Sequence, residues 1–410
     1  MNGIQQIPKD WKWVKLGEVC DKMSNGTNAK QTDDKIGFPI SRIETIWNET
    51  IDLDRVKYIQ ENDAVFVEKY SLKKDDILFS HINSDIHLGK TAIYKNQTKI
   101  LIHGINLLLI RLSKDAIPDF FNYQFRYKRR MGEFINIAQK SVNQSSINQP
   151  KLKNINFVLP PKSIQLAIVS KIEELFSELD KGIENMRTAQ QQLKSYRQAV
   201  LKWAFVNSSL KNFVLKEVTE KIQIGPFGTQ LHKEDYIENG IPLINPTHIK
   251  GGLILANNSF SILQSKRDSL PNYILKEGDV IMGRRGEMGR CGLVTKKEEG
   301  WFCGTGSLYF RPDVNKVNSV FLYYNLSSQS VKKYLDDNAG GTTMANLNLK
   351  IVNNIPISLP SIKEQNKIVQ EIESRLSIAD KLEENITQSL QQAEALRQSI
   401  LKKAFEGTLI

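Results

Sequence analysis

The chain is poor in the residues that would give it chemistry of its own. Its three cysteines, Cys20, Cys291 and Cys303, are an odd number without metal-ligand spacing. They predict reduced thiols in a cytoplasmic protein rather than a disulfide framework. The five histidines form no metal-like pattern either. Long apolar runs are missing: the most apolar window, ILIHGINLLLIRL, is too short and too polar to span a bilayer, so no membrane association is expected. MNGIQQIPKDWKW has no basic start followed by an apolar stretch, and no secretory signal is expected. There is no GxxxxGK[ST] phosphate loop and no HExxH zinc motif. The Asn-Pro-Pro-Tyr/Phe segment used by adenine methyltransferases is missing too, since Asn245-Pro246-Thr247 departs from it. Acidic pairs such as Asp33-Asp34 and Asp75-Asp76 sit in turn-like settings without a companion base. The expectation is a chain that is not catalytic alone and carries no metal or cofactor.

What is present is length, charge and repetition. A chain of 410 residues is long for one hydrophobic core and suits two or more domains. Composition, 40% hydrophobic and 25% charged, is that of an ordinary soluble protein. Net charge is +11, divided as +6 over residues 1–157, +2 over 158–207, +4 over 208–357 and −1 over 358–410. The positive charge therefore belongs mainly to the two longer segments and favours an anionic partner for them, nucleic acid above all.

Residues 197–205, RQAVLKWAF, nearly recur at 397–405 as RQSILKKAF. The match extends without a gap through LPPKSIQLAIVSKIEELFSELDKGIENM and LPSIKEQNKIVQEIESRLSIADKLEENI. Gln165 thus pairs with Gln365, Asp180 with Asp380 and Arg197 with Arg397. Both copies read as helix, each opening just after a proline and free of proline thereafter. A heptad runs through Ile172, Leu175, Leu179, Met186, Ala189, Leu193, Tyr196, Val200 and Trp203. The second copy places Ile372, Ala379, Leu382, Ile386, Ala393, Leu396 and Ile400 on its seam, interrupted by Arg375, Ser389 and Lys403. Helices of about 42 residues rise roughly 60 Å, too long for the surface of one small domain. They are expected to pack on each other as an antiparallel coiled coil.

The intervening segments repeat more faintly. WVKLGEV faces FVLKEV, GFPISRI faces GIPLINPTHI, KKDDILFS faces KEGDVIMG, and FFNYQF faces VFLYYN. Short apolar runs between Gly, Asn and Asp turns predict strands. The fold class expected is α+β: two homologous mixed α/β domains, 1–157 and 208–357, separated by long helices at 158–207 and 358–410 in a pseudo-two-fold arrangement. Domains that share a scaffold and differ in their loops are expected to bind different things.

Candidate contacts lie in those loops. MGRRGEMGRCG (282–292) offers Arg284, Arg285 and Arg290, whose forked donors suit guanine edges or phosphates, among glycines that allow close backbone approach. A glycine-rich turn between strands with solvated arginines is the alternative. The counterpart FSHINSDIHLGK (79–90) offers His81, Asn83, Ser84, His87 and Lys90, a different donor and acceptor set. FNYQFRYKRRMGEF (121–134) carries Arg126, Lys128, Arg129 and Arg130 on an expected helix, with Lys332 and Lys333 in the analogous place. Phosphate contact is one reading and a solvated helical face the other. The polar loops KSVNQSSINQ and GGTTMANLN precede the two helices, and GPFGTQL (225–231) is a turn or a loop of close backbone approach.

Several of these features together resemble the specificity subunit of type I restriction-modification systems. They are the alternation of variable globule and repeated helix, the LP-x-x-x-EQ-x-x-IV opening (Leu359, Pro360, Glu364, Gln365, Ile368, Val369), GPFGTQL, and the LRQSILKKAFEG ending. The resemblance covers essentially the whole chain. It implies two target-recognition domains, each reading a few base pairs of a bipartite asymmetric site in double-stranded DNA. It also implies a helical spacer that docks two methyltransferase subunits, with restriction subunits joining afterwards. Methyl donor, ATP and Mg²⁺ would then belong to partner chains. Two departures stand out: Ile164 replaces the position of Glu364, and SNGTNAKQ (24–31) replaces a recognisable GPFGTQL. The rivals are an enzyme with a degenerate motif, and a scaffold whose globules read no sequence.

Overall fold

The computed structural model describes residues 7–61, 63–96, 98–206, 211–257, 259–286, 289–339 and 347–410. The chain forms two compact units, residues 1–186 with 388–410 and residues 187–387. Each contains one globular domain, part of the helix Lys162–Val206 and part of the helix Ile362–Glu406.

Each globular domain is built on a four-stranded antiparallel sheet. In the first the order is Cys20–Asn25, Leu107–Leu112, Ile77–Ser80, Thr91–Ile93. In the second it is Thr219–Ile224, Ser307–Pro312, Val280–Gly283, Cys291–Leu293. The inner strands are continuous apolar runs because both faces are covered. Ile77, Phe79, Leu108 and Ile110 enter one cluster, while Leu78, Leu107 and Leu109 enter another. Likewise Val280, Met282, Leu308 and Phe310 part from Ile281 and Tyr309. The period of two assigns alternate side chains to opposite layers.

The helix Pro118–Arg130 opens on a proline, whose missing N–H costs nothing in a first turn, and buries Phe120, Phe121 and Phe125. A strand at the start of each domain pairs with the one that leads into its long helix. Lys12–Lys15 runs against Asn156–Leu159, and Lys211–Val214 against Pro356–Leu359. A buried glutamine then fixes each helix to its domain. Gln165 accepts from the Ile117 N–H (2.8 Å) and donates to Asp115 and Pro160 carbonyls. Gln365 accepts from the Asn318 N–H (2.9 Å) and donates to Lys316 and Pro360 carbonyls. The occurrence of EQ at one place and IQ at the other has a local cause. Ser361 and Glu364 form a reciprocal cap, with Ser361 Oγ accepting from the Glu364 N–H and Glu364 Oε2 accepting from the Ser361 N–H. Pro161 stands at the first helix's equivalent place and has no N–H to cap, so Ile164 costs nothing there.

The helices pair antiparallel within each unit. Asp180 meets Arg397 in one unit, and Arg197 meets Asp380 and Glu383 (2.7 Å each) in the other. The seam differs by one residue from the register expected at alternate positions. A series of buried and half-buried positions on the first helix runs Ile172, Phe176, Leu179, Ile183, Met186, Gln190, Leu193, Arg197, Val200 and Ala204, with Ala189 half-buried beside Gln190. On the second the buried and half-buried series runs Ile372, Leu376, Ala379, Glu383, Ile386, Leu390, Ala393, Arg397, Ile400 and Ala404. Ile172, Leu179, Met186, Leu193, Ile372 and Ile386 keep their expected places, and Leu175 flanks the seam half-buried. Tyr196, Leu382 and Leu396 are 40%, 47% and 51% exposed and lie outside it. Each stands beside a polar or small seam residue, so hydrophobicity points one position aside. Lys403 is exposed and lies outside the seam, whereas Arg375 and Ser389 are half-buried beside Leu376 and Leu390.

Candidate nucleic-acid interface

One end of each sheet is where the loops with candidate contacts converge. In the second domain the pairing register puts the end of Thr219–Ile224, the start of Ser307–Pro312, the end of Val280–Gly283 and the start of Cys291–Leu293 together. Glycine permits the crossing. A Cβ on Gly225 would lie 2.0 Å from the Gly304 carbonyl oxygen, and one on Gly304 would lie 2.4 Å from Asn245 Oδ1. The first domain repeats this: a Cβ on Gly26 would lie 2.3 Å from the His103 oxygen, and one on Gly104 would lie 2.2 Å from the Ser41 oxygen. SNGTNAKQ and GPFGTQL are therefore the same loop, equivalent in the one glycine that the backbone crossing requires.

His81 and Arg284 hold corresponding positions. Each follows the inner strand, and each carbonyl accepts an amide from the segment ahead of the long helix, Ile147 N–H to His81 (2.9 Å) and Leu347 N–H to Arg284 (3.1 Å). Their side chains differ. His81 is buried, with Nε2 3.3 Å from Asn25 Nδ2 and with Nδ1 unpartnered among the described residues. Burial pushes its pKa down to about 4, so it is a neutral packing group at pH 7. Arg284 is half-buried and Arg285 exposed. Burial first, then the neighbouring Arg285 charge, lowers the pKa of Arg284. Arg290 donates to the Pro246 carbonyl (3.1 Å).

The two polar stretches of the first domain meet. Ile82–Asn83 pairs with Ser145–Ser146, which pairs with Gln139–Lys140. Asn83 is buried, donating to Ser80 Oγ (3.0 Å) and accepting from the Ser84 N–H (2.9 Å). This end exposes Ser84, Asp85, Ile86 and His87, with Ser145 Oγ donating to Asp85 (2.5 Å). Burial, then Lys90 and Arg129, lowers the pKa of His87, while burial and Arg129 lower that of the half-buried Lys90. In the second domain GGTTMANLN falls largely on residues 340–346, outside the described residues, as do residues 287–288 of the arginine loop.

The basic helix of the first domain is not a row of cations held out for phosphate. Arg126 binds Glu49 through its carbonyl (2.7 Å) and carboxylate (2.9 Å) and lies over Tyr123. Lys128 is 9% exposed, paired with Glu133 (2.9 Å) over the Phe157 ring. Arg129 props the 81–90 loop through the Leu88 (3.1 Å) and Ile86 carbonyls, and Arg130 pairs with Glu394. Charge density along the sequence presents these ties as a surface stripe because most of their partners are distant in sequence. In the second domain Lys332 and Lys333, both exposed, line with Arg290 a groove of about 1740 Å³ beside Gly251, Gly252 and Tyr323.

Sequence reasoning missed the pair that holds each sheet. Asp76, fully buried, takes both Arg111 donors at 2.7 Å, and Asp279 takes those of Arg311 at 2.8 and 2.7 Å. Recurrence of the Asp and the Arg in the two copies was the available signal. Among the described residues no His, Cys, Asp or Glu cluster could hold a metal ion. No helix among them is long and apolar enough to cross a membrane.

The model of the type I restriction modification DNA specificity domain matches twice, over residues 8–189 and 207–392. The chain belongs to that family. A putative type I restriction enzyme MjaX specificity subunit of Methanocaldococcus jannaschii is 30% identical, over 99% of this chain and 95% of its own. The EcoBI specificity subunit of Escherichia coli is 26% identical, over 100% and 88%. Among solved structures, a chain described under complex assembly and conformational transition of the type I R-M system superposes with a TM-score of 0.76, at 21% identity over 98% of this chain and 100% of its own. The HsdS subunit from Thermoanaerobacter tengcongensis gives 0.62 at 20% identity, over 99% of both. This type I specificity fold is the frame on which His81 and Arg284 differ.

Proposed function

We propose that this specificity subunit binds a bipartite, asymmetric double-stranded DNA target, one half-site per recognition domain, and is itself non-catalytic. The observation that carries the reading is the contrast at one sheet end: a common backbone crossing, with exposed Ser84, Asp85 and His87 beside it on one copy and Arg284, Arg285 and Arg290 on the other. Equivalent positions with unlike donors and acceptors are what two different half-sites require. Lys90, Lys332 and Lys333 supply phosphate contacts, and the tied cations Arg126, Lys128, Arg129 and Arg130 hold the first domain's loops. The paired helices set the gap and dock two methyltransferase subunits and the restriction subunits, which bring methyl donor, ATP and Mg²⁺.

Adenine-methylation mapping across the genome, with the gene intact and deleted, tests this. The expected result is loss of one split, asymmetric motif on deletion. An unchanged methylome favours a scaffold role. The double variant Arg284→Ala, Arg285→Ala is expected to relax or abolish reading of one half-site, by about 1–3 kcal/mol for each guanine no longer gripped. The other half's preference is retained, and disappearance of both together would sink the assignment of independent domains.

A further inference from the structure

The glycine-lined end of the second sheet carries an exposed aromatic side chain. Phe227 is 65% exposed, yet the loop that bears it is tied on both sides. Before it, Gly225 and Pro226 are buried and the Gly225 N–H donates to the Ser307 carbonyl (2.9 Å). After it, Gly228 turns the chain at φ +63°, and Gln230 Oε1 accepts from the Tyr273 hydroxyl (2.7 Å).

A single exposed apolar residue is ordinary on a protein surface; here the location distinguishes it. The Arg284 N–H donates to the Gly306 carbonyl, the residue adjacent to the partner of Gly225. The loop of Phe227 and the arginine loop therefore leave the same strand end.

We propose that Phe227 is a specificity-determining residue for the second half-site, touching the C5-methyl group of a thymine next to the bases read by Arg284 and Arg285. This rests on the recognition role proposed above. Arginine takes guanine by O6 and N7 in the major groove, and in that groove the thymine methyl is the apolar feature that distinguishes a base pair. Phenylalanine is among the side chains that pack on it. The first domain places exposed Asn28 two residues after its equivalent glycine, Gly26, where the second domain has Phe227 two after Gly225. Its loop offers a carboxamide in place of the ring.

The test uses the full-length chain with its methyltransferase subunits and duplexes carrying the mapped motif. Each thymine of the second half-site is replaced in turn by deoxyuridine, which removes the methyl group alone. One replacement is expected to weaken binding about four-fold, the weight of one buried methyl. Phe227→Ala is expected to weaken binding of the unmodified duplex and to abolish sensitivity to that replacement. Phe227→Asn, with the polar residue of the first loop, should behave the same way while first-half preference is kept. A second half-site lacking any A·T pair, or deoxyuridine effects identical in wild type and both variants, would overturn the inference. If Arg284→Ala, Arg285→Ala changes the second half-site while Phe227 proves indifferent, only this inference fails. If none of these variants changes it, the recognition role fails with it.

Discussion

The two recognition domains keep the same inner framework and differ at the same end of the sheet. Asp76–Arg111 and Asp279–Arg311 are equivalent pairs at buried aspartates. Gln165 and Gln365 bind the same three kinds of backbone group, and Gly26 and Gly225 cross the same neighbouring segment. Where backbone polar groups or close crossings leave one solution, the copies retain it. At the loops that leave the sheet they diverge: buried neutral His81 stands where the other copy has half-buried Arg284, and the basic helix packed through Arg126 on Glu49 has as its counterpart a groove lined by Arg290, Lys332 and Lys333. Divergence is thus concentrated where it does not cost the fold.

The largest effect should come from breaking the shared frame. Asp76→Ala or Asp279→Ala leaves an arginine facing a site built for its partner and frees the Lys73 or Lys276 N–H that the carboxylate also caps (2.7 and 2.8 Å). Each is expected to cost about 3–5 kcal/mol in its own unit, measured by urea unfolding. Near-equal losses support a common frame. A loss below about 1 kcal/mol in only one copy would show that the frames are not equivalent.

The hydrophobic pattern makes the frame partly legible. Continuous runs such as ILFS and VIMG announce buried strands, and the gapless repeat announces the paired helices. The seam is obscured where Phe176, Ile183, Arg197 and Glu383 compete with neighbours, since a heptad read by hydrophobicity cannot recognise Arg197 or Glu383 as a seam position. The basic helix is obscured for the opposite reason: Arg126 and Arg130 find Glu49 and Glu394, 77 and 264 positions away, and no local pattern reports partners at that range. Phe227 stands in plain sight within GPFGTQL, but sequence alone does not say that its ring is exposed.

The His81–Arg284 contrast makes a pH prediction. His81 has a folded pKa of about 4 against 6.5 when unfolded. Between those values the unfolded chain takes up a proton that the folded one refuses, so stability falls as pH drops from about 6.5 toward 4 and levels off below. The loss is at most about 3 kcal/mol. Burial lowers His103 in the same unit and His248 in the other, so the comparison is wild type against His81→Gln. The variant is expected to have a shallower acid limb in unfolding of the first unit, and an unchanged limb would remove His81 as its source.

The smallest effect separates the two reciprocal arginines of the helix pair. Arg197 holds two carboxylates, Asp380 and Glu383, at 2.7 Å. Arg397 has Asp180 and also lies over the Phe176 ring, 4.7 Å from its centroid. The carboxylates are half-exposed or more, so Arg197→Ala and Arg397→Ala should each cost only about 0.5–1 kcal/mol. Salt tells them apart. Charge pairs near the surface weaken as the Debye length shrinks to about 3 Å at 1 M, whereas contact between the guanidinium and an aromatic face retains its packing part. The cost of Arg197→Ala is therefore expected to fade between about 0.1 and 1 M NaCl, and that of Arg397→Ala to persist. Equal fading would mean that the ring contributes nothing, and that the unequal neighbours Glu383 and Phe176 leave the two crossings energetically alike.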